Sequence, residues 1–182
     1  YEINDTGIVL TPIISNCGSL PLSWYRCGVI KFSPDGRKMA AACNNDDSQI
    51  GGLELYDFDY HTGKLSNAIV LDSNHTDKYY YGACFSPNNT KLYATTSSYG
   101  GITTTYPGKV RQFDVSLSSS AAIIGSNTLL YTDTSVQTGN MGDLKRGIDG
   151  KIYIGNNNIS SAGEHMHLIS SPNIAGTGCN FI

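Results

Sequence analysis

Short stretches in which apolar and polar residues alternate follow one another along the chain, separated by turn-forming residues. Residues 28–32, Gly-Val-Ile-Lys-Phe, lead into Ser-Pro-Asp-Gly at 33–36, and a second strand-like stretch, Arg-Lys-Met-Ala-Ala-Ala, follows at 37–42. Alternation with a period of two predicts a β-strand. Pro34 presets φ for the second position of a turn, and Gly36 accepts the positive φ that the last position requires. Together these features predict a β-hairpin.

The same hairpin pattern recurs twice further along the chain. Ser-Pro-Asn-Asn at 86–89 stands in the same context as Ser-Pro-Asp-Gly at 33–36, with Asn89 in place of the glycine. A weaker copy runs over residues 144–154, where Asp149 and Gly150 supply the turn. A pattern that recurs at a regular distance along the chain, here from Ser33 to Ser86, is typical of propeller or solenoid architectures.

A second alternating hairpin follows the first in each repeat. The sequence places its strands at 52–59 and 65–71 in the first repeat, at 109–115 and 127–131 in the second, and at 165–169 in the third. Each repeat therefore predicts about four short antiparallel strands, which is the content of one propeller blade.

The predicted fold is all-β, with about three and a half blades of four antiparallel strands that form part of a larger ring. As a single propeller segment, 1–182, the chain divides into the end of a preceding blade (1–22) and blades at 23–77, 78–135 and 136–182, the last of which is a candidate for the final blade. Closure with another chain, or a smaller four-bladed ring, stays open.

Composition and net charge argue against some classes of function. The 182 residues carry a net charge of −3, which argues against a strongly basic nucleic-acid surface. Charged residues make up only 15% of the chain, compared with about 25% in typical globular domains. The chain contains no apolar stretch of about 18 residues, so the sequence predicts no transmembrane segment.

The repeat motifs carry a family resemblance. The Phe-Ser-Pro turns at 32–36 and 85–89 resemble those of WD-repeat-like β-propellers. Further stretches resemble propeller segments of large surface and secreted proteins of Bacteroidetes, which are type IX secretion or gliding-associated multidomain proteins; these stretches are 81–87, 109–114, 144–154, 171–173 and 178–181. The resemblance implies a secreted or cell-surface bacterial protein.

Tyrosine-rich and acidic loops are the candidate binding residues. Tyr79 and Tyr80 lead into the inner strand of the second blade, and Tyr99 and Tyr106 lie in a long insertion between its two hairpins. The equivalent loop of the first blade carries three further candidates, Asn45, Asp46 and Asp47. Tyrosine with Ser, Thr and Asn is typical of surfaces that contact protein or glycan.

Metal sites are weaker candidates. The acidic loop at 44–48 offers carboxylates to Ca²⁺, but it lacks the alternating ligands, central Gly and terminal Glu of a calcium loop. His165 and His167 share one face of a strand and could ligate a metal, but the sequence identifies no third ligand.

The five cysteines contain no CxxC pair, which excludes zinc-ribbon and thioredoxin-like motifs. Cys43 and Cys84 sit in apolar stretches and are expected to be core residues. Cys17 and Cys27 flank a loop and are candidates for a disulfide.

These observations favour a non-catalytic recognition or scaffold module that binds protein or glycan through loops on one propeller face. Its other expected partners are further blades of the same protein or another chain. An alternative is a propeller enzyme of the lyase, lactonase or glycosidase type, which requires inward His, Asp or Glu residues from several blades. A third possibility is a calcium-dependent carbohydrate-binding propeller. Serine-nucleophile and phosphate-loop motifs are absent from the sequence.

Overall fold

Short antiparallel strands build nearly all of the regular structure. The computed structural model describes residues 2–19, 28–43, 52–72, 77, 79–96, 107–133, 141–156 and 166–182. Within these ranges the fold is all-β, with one short α-helix, α1 (Ser120–Gly125), and one 3₁₀ turn at Gly176–Cys179. The predicted fold class is therefore confirmed.

The strands form one small hairpin and three larger sheets. The hairpin pairs β1 (Ile3–Asn4) with β2 (Gly7–Ile8). The first sheet contains β3 (Gly28–Phe32), β4 (Lys38–Cys43), β5 (Leu53–Asp59) and β6 (Lys64–Val70). The second contains β7 (Tyr80–Phe85), β8 (Lys91–Thr96), β9 (Lys109–Asp114) and β10 (Thr128–Thr132), and the third β11 (Met141–Arg146), β12 (Ile152–Asn156) and β13 (His167–Ile169).

Each sheet is an antiparallel meander in which neighbours in sequence are neighbours in space. The first two sheets have the four strands of a propeller blade. Their inner strands adjoin one another, with β7 packed between β3 and β11. The assignment of residues 1–22 to a preceding blade, and closure into a larger ring, stay predictions.

The third sheet differs from the expected four strands. Among the described residues, the last residues of the chain meet the edge of β13, through a bridge between Ile169 and Phe181 and hydrogen bonds between Leu168 and Ile182. Before this return, a turn joins Ser171 O to Ile174 N–H at 3.0 Å. Pro172 lies in this turn and cannot donate to a β-ladder, so regular pairing is delayed until the chain end.

The predicted hairpin turns are confirmed in all three repeats. In each, the N–H of the fourth turn residue donates to the carbonyl of the first, at 2.9, 3.0 and 3.1 Å. The fourth residue has φ in the left-handed region, which glycine and asparagine accept most readily. These residues are Gly36 (+68°), Asn89 (+66°) and Gly150 (+78°).

The side chains of the Ser-Pro-Asp motif stabilise the turn itself. Ser33 Oγ accepts a hydrogen bond from the Lys38 N–H at 2.9 Å and donates to Asp35 Oδ1 at 2.6 Å. In the second repeat Ser86 makes the same contacts with the Lys91 N–H, at 2.9 Å, and with Asn88, at 2.8 Å. The motif is therefore explained by backbone geometry, because its polar atoms are used within the turn.

Two hydrophobic cores lie between the sheets. The core between the first and second sheets includes Leu55, Tyr80 and Phe113, and the core between the second and third includes Tyr93 and Leu144. The second sheet is thus buried on both faces. This arrangement is possible because successive side chains of a strand point to opposite faces of the sheet.

A close backbone approach joins the second and third sheets at Gly82. A Cβ atom at this position would lie 2.9 Å from both Asp143 Cα and Gly142 O. Thr95 Oγ1 accepts from the Gly82 N–H at 3.1 Å and donates to Gly142 O at 2.8 Å. The absent side chain therefore lets one hydroxyl connect the two inner strands.

Gln112 fastens the C-terminal segment to the second sheet. Its amide nitrogen donates to Ile174 O at 2.8 Å and to the Tyr93 hydroxyl at 2.7 Å, while its oxygen accepts from the Gly176 N–H at 2.7 Å. The Tyr93 hydroxyl donates onward to Pro172 O at 2.9 Å. These partners satisfy a buried amide and a buried phenol, which would otherwise be costly to remove from water.

Glu54 holds the N-terminal segment against the first sheet through hydrogen bonds. This buried carboxylate accepts hydrogen bonds from the Ser19 N–H, at 2.9 Å, and from the Tyr56 hydroxyl. Further along the segment, Ser15 Oγ accepts from the Leu65 N–H at 2.8 Å. Residues 15–19 therefore run along the outer strands of the first sheet.

Replacing Gly82 by alanine tests the close approach of the sheets. The added methyl group meets backbone atoms of the third sheet, so we expect Gly82→Ala to lower the free energy of unfolding by about 1–3 kcal/mol. Gly125→Ala is the matched control, because a Cβ there meets nothing within 4 Å. It should leave stability unchanged or raise it. Urea denaturation of both variants measures the difference, and equal midpoints would contradict the packing described.

Candidate functional site

Three connecting segments, 44–51, 97–106 and 157–165, start from one edge of the sheets. In an antiparallel meander the second strand ends and the third begins at the same edge, as the pairs Ala42–Leu53 and Thr96–Lys109 show. We call this edge the loop edge. The hairpin turns lie at the other edge, where Asn89 Oδ1 accepts from the Asp35 N–H at 3.0 Å across two neighbouring sheets.

A buried group of charges underlies the loop edge. Asp77, whose side chain is only 2% exposed, accepts from Lys109 Nζ at 2.5 Å and from Arg111 Nε. The Asp77 N–H donates to Asp72 Oδ2 at 2.8 Å. The network thus ties the connection between the first two sheets to β9. Buried charges are tolerated when they are paired in this way.

The network extends on both sides of Asp77. Arg111 donates to Asn127 Oδ1 at 3.1 Å, which reaches the segment before β10, and the hydroxyl of the fully buried Tyr80 donates to Asp72 Oδ2 at 3.3 Å. The network therefore joins β7, β9, the segment before β10 and the connection between the first two sheets, through side chains and the backbone N–H of Asp77.

The pKa directions agree with this pairing. Burial alone would lower the pKa of Arg111, but the hydrogen bond and negative charge of Asp77 outweigh it and raise that pKa. Burial, reinforced by the carboxylates of Asp72 and Asp77, raises the pKa of Tyr80. The guanidinium thus stays charged and the phenol neutral throughout the neutral pH range.

The structure places two of the predicted binding residues beneath this edge. Tyr80 is wholly buried, and Tyr79 is 9% exposed with φ of +63°. Both rings therefore belong to the wall that supports the edge and present little surface to a partner. The remaining candidates, Tyr99, Tyr106, Asn45, Asp46 and Asp47, lie outside the described residues, and their role in binding stays a prediction.

The sequence pattern does not predict the charged network. The available signal is the pair Lys109 and Arg111, two apart on one face of a strand whose other residues are Val110, Gln112, Phe113 and Asp114. Their partner Asp77 lies more than thirty residues earlier in the chain, in a stretch without a strand pattern. Sequence spacing alone does not reveal this contact.

His167, one of the two weak metal candidates, stacks with aromatic rings. Its ring centroid lies 5.1 Å from both Phe181 and Tyr131. His165 lies outside the described residues. Within the described ranges, no cluster of three or more His, Cys, Asp or Glu residues has the arrangement of a metal site. The described part of the chain also contains no helix of the length and hydropathy that a membrane span requires.

The cysteines fall into different environments. Cys84 is 7% exposed, which confirms its place in the core, and burial is the main cause that raises the pKa of its thiol to about 11. Cys43 is only half-buried, so its expected place in the core is not confirmed. Burial together with the charge of Glu54 raises the pKa of its thiol. Cys17 is half-buried and is a free cysteine in the structure, which does not support the candidate disulfide; Cys27 lies outside the described residues.

The comparisons with known proteins name no family. No protein-family model and no curated protein matches the chain. Among solved structures it is similar to hydrazine synthase of Kuenenia stuttgartiensis, at 18% identity over 77% of this chain and 38% of that one, with a TM-score of 0.46. It is also similar to a chain of a nidogen/laminin complex, at 15% identity over 74% of this chain and 40% of that one, with a TM-score of 0.46. The chain thus spans about two fifths of the length of each.

Arg111→Met tests whether the buried network stabilises the loop edge. The variant leaves Asp77 buried with Lys109 as its remaining cation. We therefore expect the free energy of unfolding to fall by about 3 kcal/mol, which is at the low end of the losses seen when a buried ion pair is broken. Lys151→Met is the matched control, because Lys151 faces Asp149 at 3.6 Å in a pair exposed by about two fifths.

Thermal and urea denaturation of both variants decide the result. The control should melt within error of the parent protein. Equal behaviour of the two variants would contradict a stabilising role for the network.

Proposed function

We propose that this chain is a non-catalytic recognition and scaffold module of a bacterial cell-surface or secreted protein, which binds protein or glycan through the segments of the loop edge. The observation that carries the proposal is the buried pairing of Asp77 with Lys109 and Arg111 beneath that edge. It holds the base from which the segments extend at a fixed position.

A fixed base favours binding for an entropic reason. Ordering a loop on contact with a partner costs free energy, and a scaffold that already holds both loop ends reduces that cost. The strand ends on either side of segment 97–106 are joined by paired residues Thr96 and Lys109. Segment 44–51 is held in the same way between Ala42 and Leu53.

The composition of the two segments suits recognition. Tyr99 and Tyr106 offer large rings with few rotatable bonds, and Asn45, Asp46 and Asp47 offer polar atoms for hydrogen bonds. Tyrosine combined with small polar residues is the combination that many binding surfaces use.

The charges of the described loop edge support binding better than catalysis. Asp77, Lys109 and Arg111 contact one another, and Asp72 accepts from the Asp77 N–H and from Tyr80. A general acid or base has to exchange a proton with a substrate. Side chains whose charged groups already have partners within the protein, and which are little exposed to solvent, are poorly placed for such an exchange.

Substitution of the loop tyrosines tests the proposal. The labelled chain is first applied to an array of immobilised glycans, and bound glycans are then measured in solution by calorimetry. We expect Tyr99→Ala with Tyr106→Ala to weaken binding at least tenfold. Tyr60→Ala is the matched control, because Tyr60 is 56% exposed and follows β5 at the edge opposite the loops.

The control should change affinity by less than twofold. Equal losses in the two variants, or full binding by the loop variant, would contradict recognition at the loop edge. A melting temperature that rises with added Ca²⁺ and no longer does so in Asp46→Asn would instead favour a calcium-dependent binding protein.

A further inference from the structure

The first sheet carries an exposed apolar face on the side away from the second sheet. Val29 of β3 packs against the core between these two sheets. Because successive side chains of a strand alternate, Ile30 and Phe32 point to the opposite face, where they are 63% and 51% exposed. The ring of Phe32 lies 4.7 Å from that of Phe58. We call the face formed by Ile30, Phe32 and Phe58 the first end face.

The same face of the second sheet is also apolar, but it is buried. Relative to the hairpin turn, Ala83 stands where Ile30 stands in the first sheet, and Phe85 likewise matches Phe32. Ala83 and Phe85 are 0% and 3% exposed, and both belong to the core between the first two sheets. In the second sheet, therefore, the preceding sheet of the same repeat covers this face.

A connecting segment lies on this face in both sheets. In the first sheet the Ser19 N–H donates to Glu54 of β5, and in the second Asp77 accepts from Arg111 of β9. Glu54 and Arg111 hold equivalent positions in the strand pairings of their sheets. Within the described residues, the second sheet thus has both a connecting segment and a covering sheet on this face, and the first sheet has the segment alone.

The third sheet presents the opposite kind of face on its outer side. Lys145, Tyr153 and Leu168 lie side by side across β11, β12 and β13. They point away from the second sheet, because the neighbouring residues of each strand belong to the core between the second and third sheets. Tyr153 holds the position that Tyr93 holds in the second sheet, and Tyr93 packs toward the following sheet. We call Lys145, Tyr153 and Leu168 the last end face.

We propose that a second copy of this chain covers the first end face with its own last end face. Both interfaces within the chain join these two kinds of face, so a head-to-tail contact between copies repeats an arrangement that the chain already contains. Two copies together bring six of the larger sheets, and propellers contain about four to eight blades. Two identical contacts then close a ring in which both end faces of each copy are covered.

The charges of the end faces are compatible with this contact. Glu54 is buried and accepts hydrogen bonds from Ser19 and Tyr56, so it adds no unpaired charge to the first end face. Lys145 stands close to the hairpin turn of its repeat, where its ammonium group can extend into water while its stem packs. Phenylalanine and tyrosine are typical of the centres of protein interfaces.

A closed pair also eases the requirement on area. A stable association buries about 1,200 Å² or more in total, and a ring of two copies divides this area between two contacts. The end faces belong to the outer sheets and not to the loop edge, so the proposal is independent of the function proposed for that edge.

Sedimentation velocity of the full chain over a range of concentrations tests the proposal. We expect a monomer–dimer equilibrium with a dissociation constant in the micromolar range and no larger species. Ile30→Lys and Tyr153→Lys each place a charge in one of the two contacting faces, so each should raise the dissociation constant at least tenfold. Ile148→Lys is the matched control, because Ile148 is wholly exposed in a hairpin turn, and it should change the constant less than twofold. Circular dichroism melting curves confirm that all three variants fold.

Tyr153→Lys also identifies which face of the second copy is bound. If two first end faces met each other, this variant would dimerise like the parent chain. In the head-to-tail arrangement, a mixture of Ile30→Lys and Tyr153→Lys retains one unaltered contact, whereas either variant alone retains none. Mixed dimers should therefore form at concentrations where each variant alone is monomeric.

Four results would overturn the proposal. A chain that stays monomeric at millimolar concentration would leave the first end face to a sheet of another polypeptide. Parent-like dimers of Tyr153→Lys would assign the contact to two first end faces. Equal weakening by Ile148→Lys would remove the link to the end faces, and assemblies that grow beyond two copies would exclude the closed ring.

Discussion

The burial of the second sheet on both of its faces is the constraint on which the rest of the structure depends. An isolated small sheet cannot bury enough apolar surface to be stable in water. Here the first sheet covers one face and the third sheet covers the other. Along β8, Leu92 and Ala94 pack toward the first sheet while Tyr93 packs toward the third, so one strand serves two cores.

This stacking divides the molecule into two edges that are stabilised by different means. The turn edge is held by short-range contacts, in which Ser33 and Ser86 bind the backbone a few residues away. The loop edge is held by long-range contacts, in which Asp77 pairs with two residues of β9. The loop edge carries longer segments than compact turns, and there the buried ion pairs of Asp77 hold the strand ends together. Loops on such a scaffold are where binding residues concentrate in proteins.

The sequence allowed the repeats, the turns and most strands to be predicted, because these depend on local chemistry. The ring of Pro34 fixes its own φ, and Gly36 tolerates the positive φ that the turn requires. The structure shows this positive φ at Gly36. Helix α1 was not predictable in the same way. It has six residues, one buried side chain at Ile123, and a Ser119 cap, which give too short a pattern to distinguish a helix from a loop.

The contacts that were not predicted share one property, which is that they join distant parts of the chain. Gln112 looks like an ordinary polar residue of a strand, yet its amide holds the segment at 174–176. The place of a fourth strand in the third sheet depends on where Pro172 falls relative to β13.

Of the candidate binding residues, Tyr79 and Tyr80 were recognised as notable, but tyrosine suits a core wall and a contact surface equally well. Burial decides between them, and burial is a property of the assembled fold.

Native-state hydrogen exchange tests the central claim, that the second sheet is the doubly covered centre of the structure, most directly. The account predicts that the amides of β7 and β8 exchange only through global unfolding, with protection equal to the full free energy of unfolding. The amides of the exposed outer strand β6 should exchange through smaller local openings. Exchange from β7 and β8 as fast as from β6 would show that the second sheet is not enclosed, and would contradict the account.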